Sequence, residues 1–127
     1  MTEVLLEHVN MTVSDPDRTA SMLRDLFGWS IRWSGPAKAG GYTVHVGGEA
    51  RYVALYSPAG DVDGPGDSLK RAGAVNHIGV LVDDLAAAEA RVLDHGVQTH
   101  SHQTYDPGSR FYFTDEDGIE YEVVSYG

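Results

Sequence analysis

An internal repeat constrains the fold of this chain more than any other feature of its sequence. The segment HVNMTVSD at residues 8–15 matches HIGVLVDD at residues 77–84, 69 residues later, and each copy begins with histidine and ends with aspartate. A repeat of this spacing in a chain of 127 residues predicts one domain built from two similar modules. We place module 1 at about 4–57, a linker at about 58–74 and module 2 at about 75–126.

Each copy of the repeat alternates apolar and polar residues. The apolar positions are Val9, Met11 and Val13 in the first copy, and Ile78, Val80 and Val82 in the second. Such alternation is typical of a β-strand with one buried face. His8 and His77 are therefore expected on the opposite face of their strands.

A helix and three more strands are expected after each repeat. Asp15 and Asp84 can cap the helices, and Gly28 and Gly96 can end them in a left-handed conformation. The further strands are predicted at about 29–34, 41–47 and 51–57, and at about 97–104, 110–115 and 119–126. Each half is thus β-α-β-β-β, an α+β architecture, and the Gly- and Pro-rich segment 58–74 joins them.

Charge and composition exclude several classes of function. Nineteen acidic residues against nine basic ones give a net charge of −10, which disfavours nucleic acid and anionic membranes but favours cationic ligands and metal ions. The absence of cysteine excludes disulfides, cysteine zinc sites and thiol nucleophiles. Neither a signal peptide nor a run of about 20 apolar residues is present, so we predict a cytoplasmic protein.

Three side chains are candidates for a metal site. Glu122 in the last strand matches Ala54 in the last strand of the first half, at a displacement of 68 residues. If Tyr121 faces the helix, Glu122 shares the helix-free face with His8 and His77. Two imidazoles and one carboxylate suit Fe(II), Mn(II), Zn(II), Co(II) or Ni(II). The alternative is that the histidines are ordinary sheet-surface residues and Glu122 is a solvated charge.

Four motifs carry a resemblance to a known family. They are the repeat at 8–15, LFGW at 26–29, NHIGVLVDD at 76–84, and FYFTDEDG at 111–118 followed by Glu122. With them the chain resembles the vicinal oxygen chelate superfamily, which includes glyoxalase I, fosfomycin-resistance thiol transferases, bleomycin-resistance proteins and type I extradiol dioxygenases. The resemblance implies two βαβββ modules in a cupped mixed sheet around one divalent metal, usually in a homodimer, with a small-molecule substrate. It assigns the ligands to His8, His77 and Glu122, within one chain or shared across a dimer.

The resemblance also separates the possible reactions. Glyoxalase-like isomerases have a second carboxylate at the position of Ala54, and alanine cannot serve as that base. Fosfomycin-type transferases have threonine at the position of Asn10, and they hold a phosphonate with basic residues, for which Arg110 is the candidate here. Asparagine in place of threonine, and one basic residue where the relatives have several, disfavour fosfomycin itself as the substrate. By position we assign Asn10 and Arg110 to substrate binding.

A dioxygenase-like enzyme would need a histidine or tyrosine beside the metal to handle protons. Alternation turns Arg110 and Tyr112 towards the cup, and His45 and Tyr56 follow by similar parity. His100 and His102 are expected on one strand face, as an accessory metal pair or as part of a sheet edge. Dioxygenase-like chemistry is preferred to thiol transfer, and the alternative function is non-catalytic binding of a cationic small molecule, as in bleomycin-resistance proteins.

Overall fold

The computed structural model describes residues 3–64, 66–105 and 108–127, except the side chain of Tyr105. The chain forms two compact units, residues 1–63 (unit 1) and 64–127 (unit 2). The boundary falls inside the predicted linker, of which Pro65 lies outside the described residues. No helix in the described part of the chain is long and apolar enough to cross a membrane.

Unit 1 has the predicted β-α-β-β-β order. Its elements are β1 (His8–Thr12), α1 (Pro16–Phe27), β2 (Ser30–Pro36), β3 (Tyr42–Gly47) and β4 (Tyr52–Ser57), with a short 3-10 turn at Lys38–Gly40. The strands form one mixed sheet in the order β1-β4-β3-β2. The β1–β4 pair is parallel, and the other two pairs are antiparallel.

Unit 2 repeats this arrangement element by element. It contains β5 (Ile78–Leu81), α2 (Leu85–Asp94), β6 (Thr99–Tyr105), β7 (Gly108–Thr114) and β8 (Glu120–Ser125). The strand order is β5-β8-β7-β6, again with a parallel first pair and two antiparallel pairs. The two tandem βαβββ modules predicted from the repeat are confirmed.

The helix ends follow the local signals in the sequence. The Asp15 carboxylate accepts a hydrogen bond from the Arg18 N–H at 3.2 Å, and the Asp84 carboxylate accepts one from the Ala87 N–H at 3.0 Å. These bonds satisfy backbone donors that the first turn of a helix leaves without partners. Gly28 ends α1 with a φ of 71°, a conformation that favours glycine.

One face of each sheet is packed against the helix of its own unit. In unit 1, α1 packs on β3 and β4, and in unit 2, α2 contacts β6, β7 and β8. The largest fully buried side chains are Leu23, Leu26 and Leu55 in unit 1, and Phe111, Phe113 and Tyr121 in unit 2. Because side chains alternate along a strand, the polar residues between these core positions lie on a helix-free face.

The turn from β7 to β8 is organised by the half-buried carboxylate of Asp115. Asp115 accepts hydrogen bonds from the Asp117 N–H at 2.9 Å, the Ile119 N–H at 3.0 Å and the Tyr121 hydroxyl at 2.9 Å. Burial raises the pKa of Asp115, and these hydrogen bonds oppose that rise. The turn therefore fixes where β8 begins.

A bulge in β6 contradicts the prediction that His100 and His102 share one strand face. The register with β7 shifts between His100 and Gln103, and Ser101 has a φ of 57°. His100 stacks on Tyr112, whereas the His102 Nε2–H donates to the Glu89 carboxylate of α2 at 2.6 Å. The two imidazoles are thus separated by the extra residue of the bulge and do not form an accessory metal pair.

Candidate metal centre

The helix-free faces carry the predicted ligands at matching positions in the two units. In unit 1, His8 pairs with Tyr52 and Asn10 with Ala54, while Val9 and Met11 face the helix. In unit 2, His77 immediately precedes β5, and the next residue on its face, Gly79, pairs with Glu122.

The sheet register confirms that Glu122 and Ala54 are structurally equivalent. Ala54 lies opposite Asn10, two residues after His8, and Glu122 lies opposite Gly79, two residues after His77. The antiparallel neighbours of these strands, β3 and β7, show the same equivalence, because His45 pairs with Ala54 and Tyr112 pairs with Glu122. Unit 1 therefore has a buried methyl group where unit 2 has a carboxylate.

Glu122 is the centre of a compact polar cluster in unit 2. One carboxylate oxygen, Oε1, lies 3.0 Å from His77 Nε2 and accepts a hydrogen bond from the Tyr112 hydroxyl at 3.1 Å. The other oxygen, Oε2, accepts from Arg110 Nη1 at 2.7 Å. The side chains of Arg110 and Glu122 are 11% and 13% exposed, whereas that of His77 is 36% exposed. The cluster is thus sheltered on the arginine side and open on the histidine side.

Each predicted histidine ligand is oriented by the residue that precedes it. His77 Nδ1 lies 2.9 Å from Asn76 Oδ1, and His8 Nδ1 lies 2.9 Å from Glu7 Oε1. These oxygens can only accept, so Nδ1 carries the proton in both rings. Nε2 is therefore the nitrogen of each ring that could bind a metal, the arrangement that second-shell oxygens create for metal-binding histidines.

Glu7 and Asn76 were not among the site residues predicted from the sequence. The signal that could have found them is the polar residue immediately before the histidine in both copies of the repeat. A side chain that accepts a hydrogen bond at that position can reach Nδ1 of its neighbour, although a single sequence does not specify its rotamer.

The structure brings Arg110 and Tyr112 together with Glu122. Both side chains point to the helix-free face, as alternation predicted, while Phe111 and Phe113 are fully buried on the other. The observed partner of the Arg110 guanidinium at this site is Glu122, which makes it a positioning group for the carboxylate. Contact of Arg110 or Asn10 with a substrate stays a prediction.

The two residues of unit 1 that were predicted to handle protons, Tyr56 and His45, have different partners. The Tyr56 hydroxyl donates to the backbone carbonyl of Lys38 at 3.0 Å, which commits it to the 3-10 turn. His45 instead stacks on Tyr52, with ring centroids 4.7 Å apart. Burial lowers the pKa of His45, and the positive charge of Arg32 lowers it further.

The donor atoms of unit 2 fit a divalent metal ion. Zinc and similar ions bind imidazole nitrogen and carboxylate oxygen at about 2.0–2.2 Å, so two donors 3.0 Å apart can contact one ion. Across residues 3–64, 66–105 and 108–127, no group of three or more His, Asp or Glu side chains is arranged to hold a metal ion. His8, the third predicted ligand, belongs to unit 1.

Paired βαβββ units, with a histidine at or just before the first strand of each and Glu122 on the helix-free face of the last strand, define a class of small α+β proteins. The family model for the Glyoxalase/Bleomycin resistance protein/Dioxygenase superfamily matches residues 5–123. The chain belongs to this superfamily, which confirms the resemblance drawn from its motifs. A search of curated proteins found no match.

Solved structures of similar fold include several members of the superfamily. A glyoxylase/bleomycin resistance protein/dioxygenase domain from Frankia sp. EAN1pec has a TM-score of 0.83 at 21% identity, covering 99% of this chain and 94% of that one. The fosfomycin resistance protein FosX from Listeria monocytogenes, complexed with Mn(II) and sulfate, has a TM-score of 0.70 at 20% identity, covering 98% and 93%. Lactoylglutathione lyase from Agrobacterium tumefaciens has a TM-score of 0.69 at 19% identity, covering 98% of this chain and 96% of that one. These similarities establish the fold.

Proposed function

We propose that this protein is a divalent-metal-dependent enzyme that chelates a small oxygen-bearing substrate. His77 and Glu122 are two of the proposed ligands, and His8 is the third. The observation that carries the proposal is the 3.0 Å distance between His77 Nε2 and Glu122 Oε1. The other nitrogen of the His77 ring, Nδ1, is already occupied by Asn76. The Mn(II) in the similar FosX structure supports a metal in this fold.

The surrounding side chains have separate tasks in this proposal. Asn76 and Glu7 fix the rings so that Nε2 is the donor atom. Arg110 holds Glu122 Oε2, which leaves Oε1 directed at His77. The bound metal would supply Lewis-acid polarisation and orientation of the substrate oxygens. Tyr112 donates to Oε1, which places its hydroxyl next to that donor atom and makes it the proposed proton-handling group.

Within this reaction class we prefer a dioxygenase-like activity to thiol transfer. A glyoxalase-like isomerase is disfavoured because Ala54, only 1% exposed, stands where a second carboxylate would be needed as the base. His45 is a second candidate for proton handling in unit 1, because its lowered pKa favours the neutral imidazole. Homodimer formation and a cytoplasmic location remain predictions from the sequence.

Net charge favours one other function. A chain with a formal charge of −10 attracts cations, which suits a non-catalytic protein that binds a cationic small molecule. Such a protein has no need for a metal, and the site geometry described above would then be incidental. Metal content distinguishes the two functions.

The test is elemental analysis of protein purified without chelators. We expect about one divalent ion per chain in the wild type and a large loss in His77→Ala and Glu122→Ala. The control is His95→Ala, which removes an exposed histidine at the end of α2 and should leave the metal content unchanged. Absence of metal from the wild type, or equal content in all variants, would remove the enzyme proposal.

Activity assays then separate the reactions. If the ion is iron, oxygen consumption with a panel of catechols tests the dioxygenase. If it is manganese, addition of a thiol to fosfomycin tests the transferase. If no metal is present, calorimetric titration with cationic glycopeptide drugs tests the binding function.

A further inference from the structure

We propose that Arg32 and Tyr52 form a subsite for a carboxylate group of the substrate, beside the metal ligand His8. No motif in the sequence indicated this subsite. The inference rests on the proposed function, because His8 is a proposed ligand. It specifies the substrate class as a small acid that carries metal-chelating oxygens and a separate carboxylate.

The sheet register places His8 and Tyr52 in one row, and Arg32 lies two residues after the β2 member of that row. His8 of β1 pairs with Tyr52 of β4, Tyr52 pairs with Gly47 of β3, and Gly47 pairs with Ser30 of β2. Gly47 has no side chain, so the row contains a gap between β4 and β2. A Cβ at Gly47 would lie 2.6 Å from the Tyr52 Cα and from the Arg51 carbonyl oxygen, so position 47 requires glycine.

Arg32 spans this gap and lies over the aromatic ring. The register of β2 shifts between Ile31 and Trp33, which makes Arg32 the irregular residue of the strand. Its guanidinium carbon lies 4.4 Å from the centroid of the Tyr52 ring. This distance is within the range of a cation–π interaction, so the ring stabilises the guanidinium in place.

The same ring ties Arg32 to the metal ligand. His8 stacks on Tyr52 with centroids 4.9 Å apart and an interplanar angle of 11°, and His45 stacks at 4.7 Å and 24°. His8 and Arg32 are therefore both neighbours of one tyrosine. A substrate whose chelating oxygens approach His8 would need a second substituent that extends past the Tyr52 ring to reach the guanidinium.

Within the described part of the chain, Arg32 is a cation without a carboxylate partner. Among the residues that the structure describes, it forms no ion pair, and its side chain is exposed. The nearby carboxylate of Glu7 is engaged by the His8 Nδ1–H. Glu49 lines a shallow recess of about 350 Å³ next to Arg32, together with Ser30, Gly47 and Gly48, without pairing with it.

An unpaired arginine fixed on an aromatic ring is well suited to bind an anion. Its planar guanidinium presents paired N–H donors that match a carboxylate in a bidentate geometry. Because the whole chain has a charge of −10, an anionic substrate needs a local positive group to approach this face. Arg32 provides that group at little entropic cost, since the ring already restricts it.

The experiment compares ligands that differ only in the proposed contact. Catechol and 3,4-dihydroxybenzoate share the adjacent oxygens, and benzoate has the carboxylate alone. Calorimetric titration of the protein as purified should show that 3,4-dihydroxybenzoate binds about tenfold or more tightly than catechol, a difference typical of a charge-assisted hydrogen-bonded pair. Benzoate should bind weakly.

Arg32→Met should abolish the preference for the carboxylate and the binding of benzoate while leaving metal content and catechol affinity unchanged. Arg32→Lys should retain part of the preference, because lysine keeps the charge without the bidentate geometry. The matched control is Arg51→Met, which removes an equal charge from an exposed residue of the same unit and should retain the full preference.

The outcomes separate this inference from the proposed function. Normal metal content with no carboxylate preference in the wild type, or a preference unaffected by Arg32→Met, would overturn the subsite alone. Absence of metal would overturn the proposed function, yet benzoate binding that depends on Arg32 would still support the anion subsite. If metal and benzoate binding are both absent, both proposals fail.

Discussion

Glu122 shows how much of the candidate site depends on the partners of one carboxylate. Its two oxygens are divided between Arg110 on one side and His77 with Tyr112 on the other. Period-two alternation predicted that these side chains share a face. It could not predict the pairing of Arg110 with Glu122, because that contact depends on the antiparallel register of β7 and β8 and on rotamers.

Replacement of Arg110 should weaken metal binding by way of Glu122. In Arg110→Met we expect about a tenfold or greater loss of metal affinity, since second-shell changes typically have effects of this size. Arg110→Lys should lose less, because it keeps the charge near Oε2. Calorimetric titration with a divalent metal measures the affinities, and a melting curve verifies that the variants fold. Unchanged affinity in Arg110→Met would contradict the positioning role.

The residues before the two histidines should also control metal affinity. Asn76→Ala and Glu7→Ala each remove an acceptor from Nδ1 and so release the orientation of the ring. We expect about a tenfold loss of affinity in each, with partial recovery in Glu7→Gln, which keeps an acceptor oxygen. Competition with a chromophoric chelator is a suitable assay. An affinity equal to that of the wild type would mean that the rings are fixed by other contacts.

At the scale of helices and strands, local signals in the sequence were sufficient for most of the fold. The cap residues and glycines specify where α1 and α2 begin and end, since their effects act within one turn. The β6 bulge was missed because it depends on contacts distant in sequence. His102 bonds Glu89 of α2, and hydrogen bonds from Thr99 and His102 lower the pKa of that carboxylate. A regular strand would direct His102 to the other face.

The β7–β8 turn should be the most sensitive element of unit 2 outside the core. Asp115→Ala leaves two backbone N–H groups and the Tyr121 hydroxyl without their acceptor, so we expect a loss of about 2–4 kcal/mol in the free energy of unfolding. Tyr121→Phe breaks one of these bonds and should cost about 1 kcal/mol. Urea denaturation gives both values. If Asp115→Ala lost less free energy of unfolding than Tyr121→Phe does, the turn would not depend on Asp115.

The stability provided by Asp115 should depend on pH in a defined direction. Burial raises the pKa of Asp115 above 3.8, so the folded protein binds a proton more readily than the unfolded chain does. This contribution is fully present below the unfolded pKa and is lost as pH rises through the folded pKa. The stability difference between the wild type and Asp115→Asn should therefore decrease from pH 3.5 upward. A stability difference that increases with pH would contradict the raised pKa of Asp115.

At the scale of the whole molecule, duplication accounts for both the fold and the asymmetry of the site. Two copies of one βαβββ unit present equivalent positions, and substitution at those positions yields Ala54 in one unit and Glu122 in the other. The sequence predicted the fold because the repeat and the family motifs span the chain. It could not predict Arg32 over Tyr52, because that contact depends on a bulge in β2 and on the missing side chain of Gly47.

The assembly expected from the family resemblance can be tested directly. Light scattering coupled to size-exclusion chromatography should give twice the mass of one 13.7 kDa chain, since relatives in this superfamily are usually dimers. Metal removal should be tested in parallel, because ligands shared across a dimer would make its mass depend on the ion. A mass of one chain at all concentrations would contradict the predicted homodimer.

The central claim is that His77 and Glu122 bind the same ion, and a double-mutant cycle tests it most directly. Protein freed of metal is titrated calorimetrically with Co(II), as wild type, His77→Ala, Glu122→Ala and the double variant. We predict about one ion per chain in the wild type and losses in the two single variants that are not additive in the double, because both side chains act on one site. Wild-type affinity in both single variants, or losses that simply add, would contradict a shared metal site.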